Sequence, residues 1–186
     1  MLLLTNCEIM ALNKANGNMY SWITHTWNTV KGECPHGCTY CYMKRWGKQK
    51  PVHFDESELK TDLGHGNFIF VGSSCDLFAD DIPKTWITDT LVKTDFYTGN
   101  RYLFQSKNPN MFHYFMNYFP DGGRTSLCTT IETNRWYPKV MKYSPDPSHR
   151  AMWLGSAFWG GSALQGWAGS MLRDRDMRGS VGRIAS

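Results

Sequence analysis

The stretch NFIFVGSS, residues 67–74, decides the fold class. It is a short continuous apolar run that ends in Gly and Ser, which is typical of a strand buried on both faces of a parallel sheet. Three further segments predict strands: YSWITHTWNTV (20–30), RYLFQS (101–106) and TSLCTTIE (125–132). Because helical patterns lie between the strands, the sequence predicts an α/β fold with about four strand–helix units.

The segments between these strands carry helical signals. In residues 54–63, Asp55 or Ser57 is a candidate cap for a short helix. We expect Asp81 to cap the next helix and Pro83 to lie near its first turn. A third helix is predicted at 109–119, with an apolar stripe in the core: Met111, Phe112, Phe115, Met116 and Phe119.

The composition is that of one globular domain. The chain has 186 residues, of which 41% are hydrophobic and 19% charged, and its formal net charge of +4 is too small to indicate nucleic-acid binding by itself. The longest apolar runs are strand-sized and no secretion signal is recognised, so we expect no membrane association and a cytoplasmic protein. We divide the chain into an N-terminal extension (1–19), a strand–helix domain (20–154) and an irregular Gly-rich tail (155–186).

The loop after the first predicted strand contains three of the six cysteines of the chain, in CPHGCTYC at residues 34–41. A disulfide framework is typical of short secreted chains, which this sequence does not resemble. A redox pair at Cys38 and Cys41 needs a thioredoxin-like setting, which the additional Cys34 makes less natural.

Two metal centres remain as interpretations of the same loop. A structural zinc site needs four ligands. His36 lies inside the loop and is an awkward fourth ligand, so His25 or His53 would have to join the three thiolates. Alternatively, three thiolates can hold three irons of a 4Fe-4S cluster and leave the fourth iron open to a different ligand.

The pattern Cys34-x-x-x-Cys38-x-Tyr40-Cys41 resembles the signature of the radical S-adenosylmethionine (radical SAM) superfamily. The resemblance extends over residues 15–154 to a phage and bacterial radical SAM family of uncharacterised function, which is distantly similar to spore photoproduct lyase. It is carried by four segments: THTWNTVKGECPHGCTYCYMKRW, FVGSSCDLFADDIPKTWI, YLFQSKNPNMF and LCTTIETNRW. The fold that this resemblance implies is a partial (β/α) barrel of the radical SAM type.

The resemblance also implies the cofactors and the site. Cys34, Cys38 and Cys41 would hold a 4Fe-4S cluster, and the amino and carboxylate groups of S-adenosylmethionine would bind the fourth iron. The activity implied is reductive cleavage of S-adenosylmethionine to a 5′-deoxyadenosyl radical, with an electron donor such as flavodoxin or ferredoxin. The implied contacts to S-adenosylmethionine are Tyr40, Ser73, Ser74, Asp76, Lys107 and Glu132.

These contacts differ in what they would bind. Tyr40 would pack near the cluster and the adenine. Members of the superfamily usually contact the methionine amino group with a segment after the second strand, and here Ser73, Ser74 and Asp76 would take its place. Lys107 would contact the methionine carboxylate, and Glu132 would contact the ribose hydroxyls.

Plain structural roles are the alternatives for several of these residues. Ser73 and Ser74 can simply end a strand, Asp76 can cap the following turn, and Lys107 can be a solvated loop residue. Glu132 follows an apolar strand at the edge where parallel sheets bind ligands, which favours a contact.

Other cysteines and a basic run need separate interpretation. Cys75 and Cys128 are expected to be buried thiols, because free cysteine packs as a small hydrophobic residue. The run Lys44, Arg45, Lys48 and Lys50 is either a solvated face or a nucleic-acid contact.

The resemblance ends near Leu154. A radical SAM core usually has six strand–helix units, whereas this chain matches about four. A shifted reading frame, an early stop or a natural short form would explain the difference, and we expect the shortened barrel to be impaired. The second interpretation is a zinc-stabilised α/β binding module without catalysis, in contact with nucleic acid through residues 44–50.

Overall fold

The computed structural model describes residues 10–16 and 20–158, together with the backbone of two strands at 165–169 and 183–184. Cys7 and most of the predicted tail lie outside the described residues. The strands are β1 (Met10–Ala11), β2 (Asn13–Lys14), β3 (His25–Trp27), β4 (Val30–Lys31), β5 (His53–Phe54), β6 (Thr61–Asp62), β7 (Phe68–Val71), β8 (Arg101–Ser106), β9 (Thr125–Thr129), β10 (Gln165–Gly169) and β11 (Arg183–Ile184). The helices are α1 (Lys84–Phe96), α2 (Asn110–Tyr114), α3 (Pro138–Met141) and α4 (Pro147–Phe158), with 3-10 turns at Tyr42–Trp46, Glu56–Lys60 and Met116–Tyr118.

The central sheet is mostly parallel and its strand order follows the chain. Seven of the described strands form it, in the order β2-β3-β7-β8-β9-β10-β11. The five inner strands, β3, β7, β8, β9 and β10, pair in parallel. The outer strands β2 and β11 each pair antiparallel with their neighbour. The predicted mixed α/β class with a parallel sheet is therefore confirmed.

The two faces of the sheet are covered differently. Alternate residues of a strand point to opposite faces, and here they belong to two separate clusters. Ile69, Tyr102 and Leu127 pack in a large core cluster with residues of α1, α2 and α4. Phe70 and Leu103 lie in a smaller cluster on the opposite face, which the described helices leave uncovered. Helices α1, α2 and α4 thus pack on one side of the sheet.

Helix α1 confirms one predicted element and corrects its cap. Its buried residues Ile87, Thr90, Leu91 and Thr94 lie on one face at helical spacing. The prediction that Asp81 caps this helix is wrong. Pro83 occupies the N-cap position without a side-chain capping bond, because the helix begins later, at Lys84.

Two other predicted elements are present in modified form. The Asp55 cap is confirmed, since its carboxylate accepts a 3.2 Å hydrogen bond from Ser57 N, but the element is a 3-10 turn. The helix predicted at 109–119 is divided into α2 and a 3-10 turn, and its stripe is largely buried, with Phe112 fully enclosed.

The first predicted strand and the tail differ more from expectation. Of residues 20–30, only β3 pairs with the central sheet, while Tyr20 and Ile23 cover its less protected face. The tail was predicted to be irregular, yet β10 pairs in parallel with β9, so the sheet has a fifth parallel strand. Among the described helices, none is long and apolar enough to cross a lipid bilayer.

Candidate functional site

A cavity of about 940 Å³ lies where the parallel strands end. Its walls come from the cysteine loop after β3 and from the segments that follow β7, β8 and β9. Carboxyl ends of consecutive parallel strands meet at one edge of a sheet, which is where α/β folds bind ligands. All nine site residues predicted from the sequence line this cavity: Cys34, Cys38, Tyr40, Cys41, Ser73, Ser74, Asp76, Lys107 and Glu132.

The cysteine loop is shaped by its backbone. Gly37 N donates to Cys34 O at 3.0 Å, and Cys41 N donates to Cys38 O at 3.3 Å. Gly32, just before the loop, has φ +99°, and a Cβ there would lie 2.5 Å from Pro51 O. Glycine is therefore required at this position for the chain to enter the loop.

The far side of the loop is held by the segment around α3. Thr39 N donates to Val140 O at 2.9 Å, and Tyr143 N donates to His36 O at 3.1 Å. The Cys38 thiol is buried and lies 3.6 Å from Met141 O. The three cysteines thus line the cavity from a loop whose middle residues are hydrogen-bonded to the segment around α3.

The thiols are reduced and are not equivalent. The five cysteines in the described part of the chain are all free. The pKa of Cys34 is lowered to about 7, because the Cys75 thiol hydrogen-bonds to its sulfur and this outweighs the effect of burial. The pKa of Cys75 is correspondingly raised, and burial raises the pKa of Cys41. The contact with Cys75 therefore favours the thiolate form of Cys34, which is the form that binds metals.

Asp76 accepts three hydrogen bonds from the protein. Its Oδ2 accepts from His36 Nε2 at 2.8 Å and from Lys107 N at 2.7 Å, and its Oδ1 accepts from Phe78 N at 3.0 Å. These hydrogen bonds fill most of the about four acceptor positions of a carboxylate. Asp76 thereby joins three segments of the cavity wall.

The His36–Asp76 pair is an ion pair inside the wall. Burial alone would raise the pKa of Asp76, but the His36 charge and the surrounding hydrogen bonds lower it. Burial would lower the pKa of His36, and the Asp76 charge raises it instead. One ring nitrogen of His36, the histidine inside the cysteine loop, is thus engaged with a carboxylate.

Glu132 lies between two cations. Its Oε1 accepts from Lys107 Nζ at 2.5 Å and from the Tyr40 hydroxyl, and its Oε2 accepts from Arg150 Nη1 at 2.7 Å. Burial would raise the pKa of Glu132, but the Lys107 and Arg150 charges lower it, so the carboxylate is ionised. Burial and the Glu132 charge raise the pKa of Tyr40, which keeps its hydroxyl protonated as a donor. This group of three charges is net positive.

Arg150 is a site residue that the sequence interpretation missed. Its side chain is 0% exposed and donates to Pro145 O, Thr130 O and Ser144 Oγ as well as to Glu132. An Asp-Pro-Ser sequence at 146–148 is a helix-start signal that would have located α4 and its first-turn arginine.

The segment after β7 is tied to a second missed residue, Asn28. The Asn28 Oδ1 accepts from Ser73 Oγ at 3.2 Å and from Ser74 N at 3.0 Å. The Tyr42 hydroxyl donates to Ser73 O. Asn28 directly follows β3, but the strand predicted from the sequence extended to residue 30, so the position of Asn28 at a strand end was not recognised.

Within the described residues, no three His, Cys, Asp or Glu side chains form a group that could hold a metal ion. A cubane places different demands on its ligands, because each of its thiolates binds a separate iron. No family model matches the chain, and comparison with curated proteins and with solved structures finds no match.

Proposed function

We propose that this chain is a radical SAM protein that binds a 4Fe-4S cluster and S-adenosylmethionine for reductive cleavage of S-adenosylmethionine. The observation that carries this proposal is the arrangement of the cavity. Three reduced thiols of one loop line it together with a lysine and a carboxylate from the ends of neighbouring strands.

The sheet supports the finer fold that we propose, a partial (β/α) barrel. Its parallel strands follow one another in chain order, and α1, α2 and α4 pack on one of its faces. Barrels built from repeated strand–helix units have both properties. The loop with the cysteines follows the first parallel strand, at the edge that binds ligands in such folds.

The donor set fits an iron–sulfur cluster. Thiolates are the usual ligands of such clusters, and Cys34, Cys38 and Cys41 are the thiols that line the cavity from this loop. Three cysteines serve three irons, so the fourth iron is available to a ligand that is not part of the loop. The volume of about 940 Å³ lies within the range of roughly 300–1,000 Å³ found for cofactor pockets.

Lys107 and Glu132 are the residues that we assign to S-adenosylmethionine. The Lys107 side chain is 19% exposed and belongs to a net-positive group, so it can form a charge-assisted hydrogen bond with the methionine carboxylate. Glu132 accepts three protein hydrogen bonds and retains about one acceptor position for a ribose hydroxyl. Asp76 is a positioning residue in this proposal, because its carboxylate joins the cysteine loop to the segments after β7 and β8.

When bound, the cluster supplies the electron for cleavage of the sulfonium C–S bond. The residues of the chain orient and enclose the reactants. The His36–Asp76 pair fixes the cysteine loop to the segment after β8, and Arg150 holds Glu132 in place. Cys38 is buried, which limits access of water to its thiol.

Anaerobic reconstitution with iron and sulfide tests the proposal. We expect a brown protein with three or four irons per chain that bleaches with dithionite and releases 5′-deoxyadenosine from S-adenosylmethionine. Cys38→Ala should abolish cluster binding. Cys128→Ala is the matched control, since this thiol is equally buried but lies outside the cavity lining.

Two results would contradict the proposal. One is a colourless protein that retains one tightly bound zinc, as the binding-module interpretation requires. The other is a cluster that assembles equally well in the Cys38→Ala and Cys128→Ala variants, which would mean that the loop does not hold it.

A further inference from the structure

Two exposed segments border the cavity beside the cysteine loop. The first rim is residues 42–50, seven of which line the cavity, among them Tyr42 and Arg45. The second rim is residues 136–143, three of which also line the cavity. The cysteine loop directly precedes the first rim and is hydrogen-bonded to the second, since Thr39 N donates to Val140 O. Both rims therefore lie at the same cavity.

Both rims are strongly basic. They contain six cations and no carboxylate: Lys44, Arg45, Lys48, Lys50, Lys139 and Lys142. The formal net charge of the whole chain is only +4, so the remainder of the chain is net negative. None of the six cations forms an ion pair with another described residue. One exposed carboxylate, that of Glu33, also lines the cavity but lies outside both rims.

Both rims also present aromatic rings to solvent. Trp46 is 68% exposed in the first rim, and Tyr143 is 79% exposed in the second. The Arg45 guanidinium lies 5.7 Å from the centroid of the Tyr42 ring and 5.4 Å from that of Trp46. The first rim thus carries a set of planar groups on which flat ligands can stack.

We propose that the two rims bind single-stranded nucleic acid across the mouth of the cavity. Proteins that bind single strands combine cations for the phosphates with aromatic faces for the bases, and each rim supplies both. An anionic membrane surface would need an amphipathic apolar face. The exposed residues of the rims include no Leu, Ile, Val, Met or Phe, which favours the nucleic acid.

Fluorescence anisotropy with labelled 12-nucleotide single-stranded DNA and RNA measures binding to the full chain before any cluster is added. We expect affinity to fall with salt, with a slope of log K on log salt of about −3 if roughly four phosphates are contacted. The Lys44→Glu/Lys48→Glu variant should bind at least 10-fold more weakly. The control Lys60→Glu/Lys84→Glu carries the same charge change on exposed residues outside the cavity lining and should retain most of the affinity.

Trp46 separates stacking from charge. Trp46→Ala should weaken binding about 5-fold or more without changing the salt slope, and Trp46→Phe should restore part of the loss. The side chain is largely exposed, so both variants should fold.

Equal binding by the rim and control variants, or no binding to either oligonucleotide, would overturn the proposal. So would rim-dependent binding to phosphatidylserine vesicles with no binding to oligonucleotides. None of these results bears on cleavage of S-adenosylmethionine, which is measured separately, so the two proposals can fail independently.

Discussion

Replacing Arg150 with Met should destabilise the chain far more than replacing a surface arginine. The Arg150 side chain is fully buried and donates four hydrogen bonds, one of them to Glu132. Breaking a buried ion pair costs about 3–5 kcal/mol, because the remaining charge stays buried without its partner. Two backbone carbonyls, of Thr130 and Pro145, also lose their donor, at about 1–3 kcal/mol each.

Two features offset part of this cost. Lys107 and Tyr40 still pair with the other oxygen of Glu132, and Met fills much of the space that Arg150 vacates. We therefore expect a loss of about 4 kcal/mol of unfolding free energy, a large part of the roughly 5–15 kcal/mol available to a domain.

A double-mutant cycle measures the ion pair itself. In a Glu132→Gln background the carboxylate charge that pairs with Arg150 is absent, so Arg150→Met should lower the unfolding free energy by only about 2 kcal/mol. The coupling free energy between the two residues is then roughly 2 kcal/mol. Urea unfolding of the chain without metal, followed by tryptophan fluorescence at neutral pH, provides the four free energies. An unchanged m-value in each variant shows that the unfolding reaction remains comparable.

Arg124→Met is the matched control. Arg124 pairs with Asp95, whose side chain is 61% exposed, so its loss should cost no more than about 1 kcal/mol. The reasoning is refuted if Arg150→Met and Glu132→Gln are additive within about 0.5 kcal/mol, or if Arg150→Met costs no more than Arg124→Met.

Three further predictions concern acid stability, the loop entry and the core. The pKa of Glu132 is lowered in the folded chain, so its stabilising effect is present above the unfolded pKa and is lost as the pH falls through the folded value. The difference in unfolding free energy between wild type and Glu132→Gln should therefore be constant at pH 6–8 and shrink below about pH 4; a constant difference down to pH 2 would contradict this. Gly32→Ala should lower the unfolding free energy in urea by about 1–3 kcal/mol and lower the iron content after reconstitution, because the added Cβ clashes with Pro51 O at a residue with positive φ. Wild-type values of both quantities would contradict this prediction. Phe78→Ala should cost about 3–5 kcal/mol, since this buried ring contacts four other aromatic rings, and a loss below about 1 kcal/mol would show that the core repacks.

The sequence predicted the strands that are buried on both faces. Strand β7 is a continuous apolar run, and β8 has a shorter one at residues 102–104, so hydrophobic patterning locates both strands. Strand β10 escaped prediction because its residues are largely small. Its place in the sheet depends on backbone pairing with β9 rather than on a side-chain pattern.

The site was predicted where it follows from local position, and missed where it depends on distant contacts. Lys107 and Glu132 were found because they follow strands, and parallel strands end at a common edge. The partnership of Glu132 with Arg150 depends on how α4 docks against the sheet, which no local pattern specifies. The involvement of Asp76 with His36 is likewise a contact between segments 40 residues apart.

The hydrogen bonds between the cysteine loop and residues near α3 have a consequence for biogenesis. The three thiols are synthesised early, but the groups that confine them, Val140 O and Tyr143 N, emerge from the ribosome about 100 residues later. At a translation rate of about 5–20 residues per second this interval lasts several seconds or more. During that time the nascent thiols lack these contacts and are more open to oxidants than they are in the folded chain.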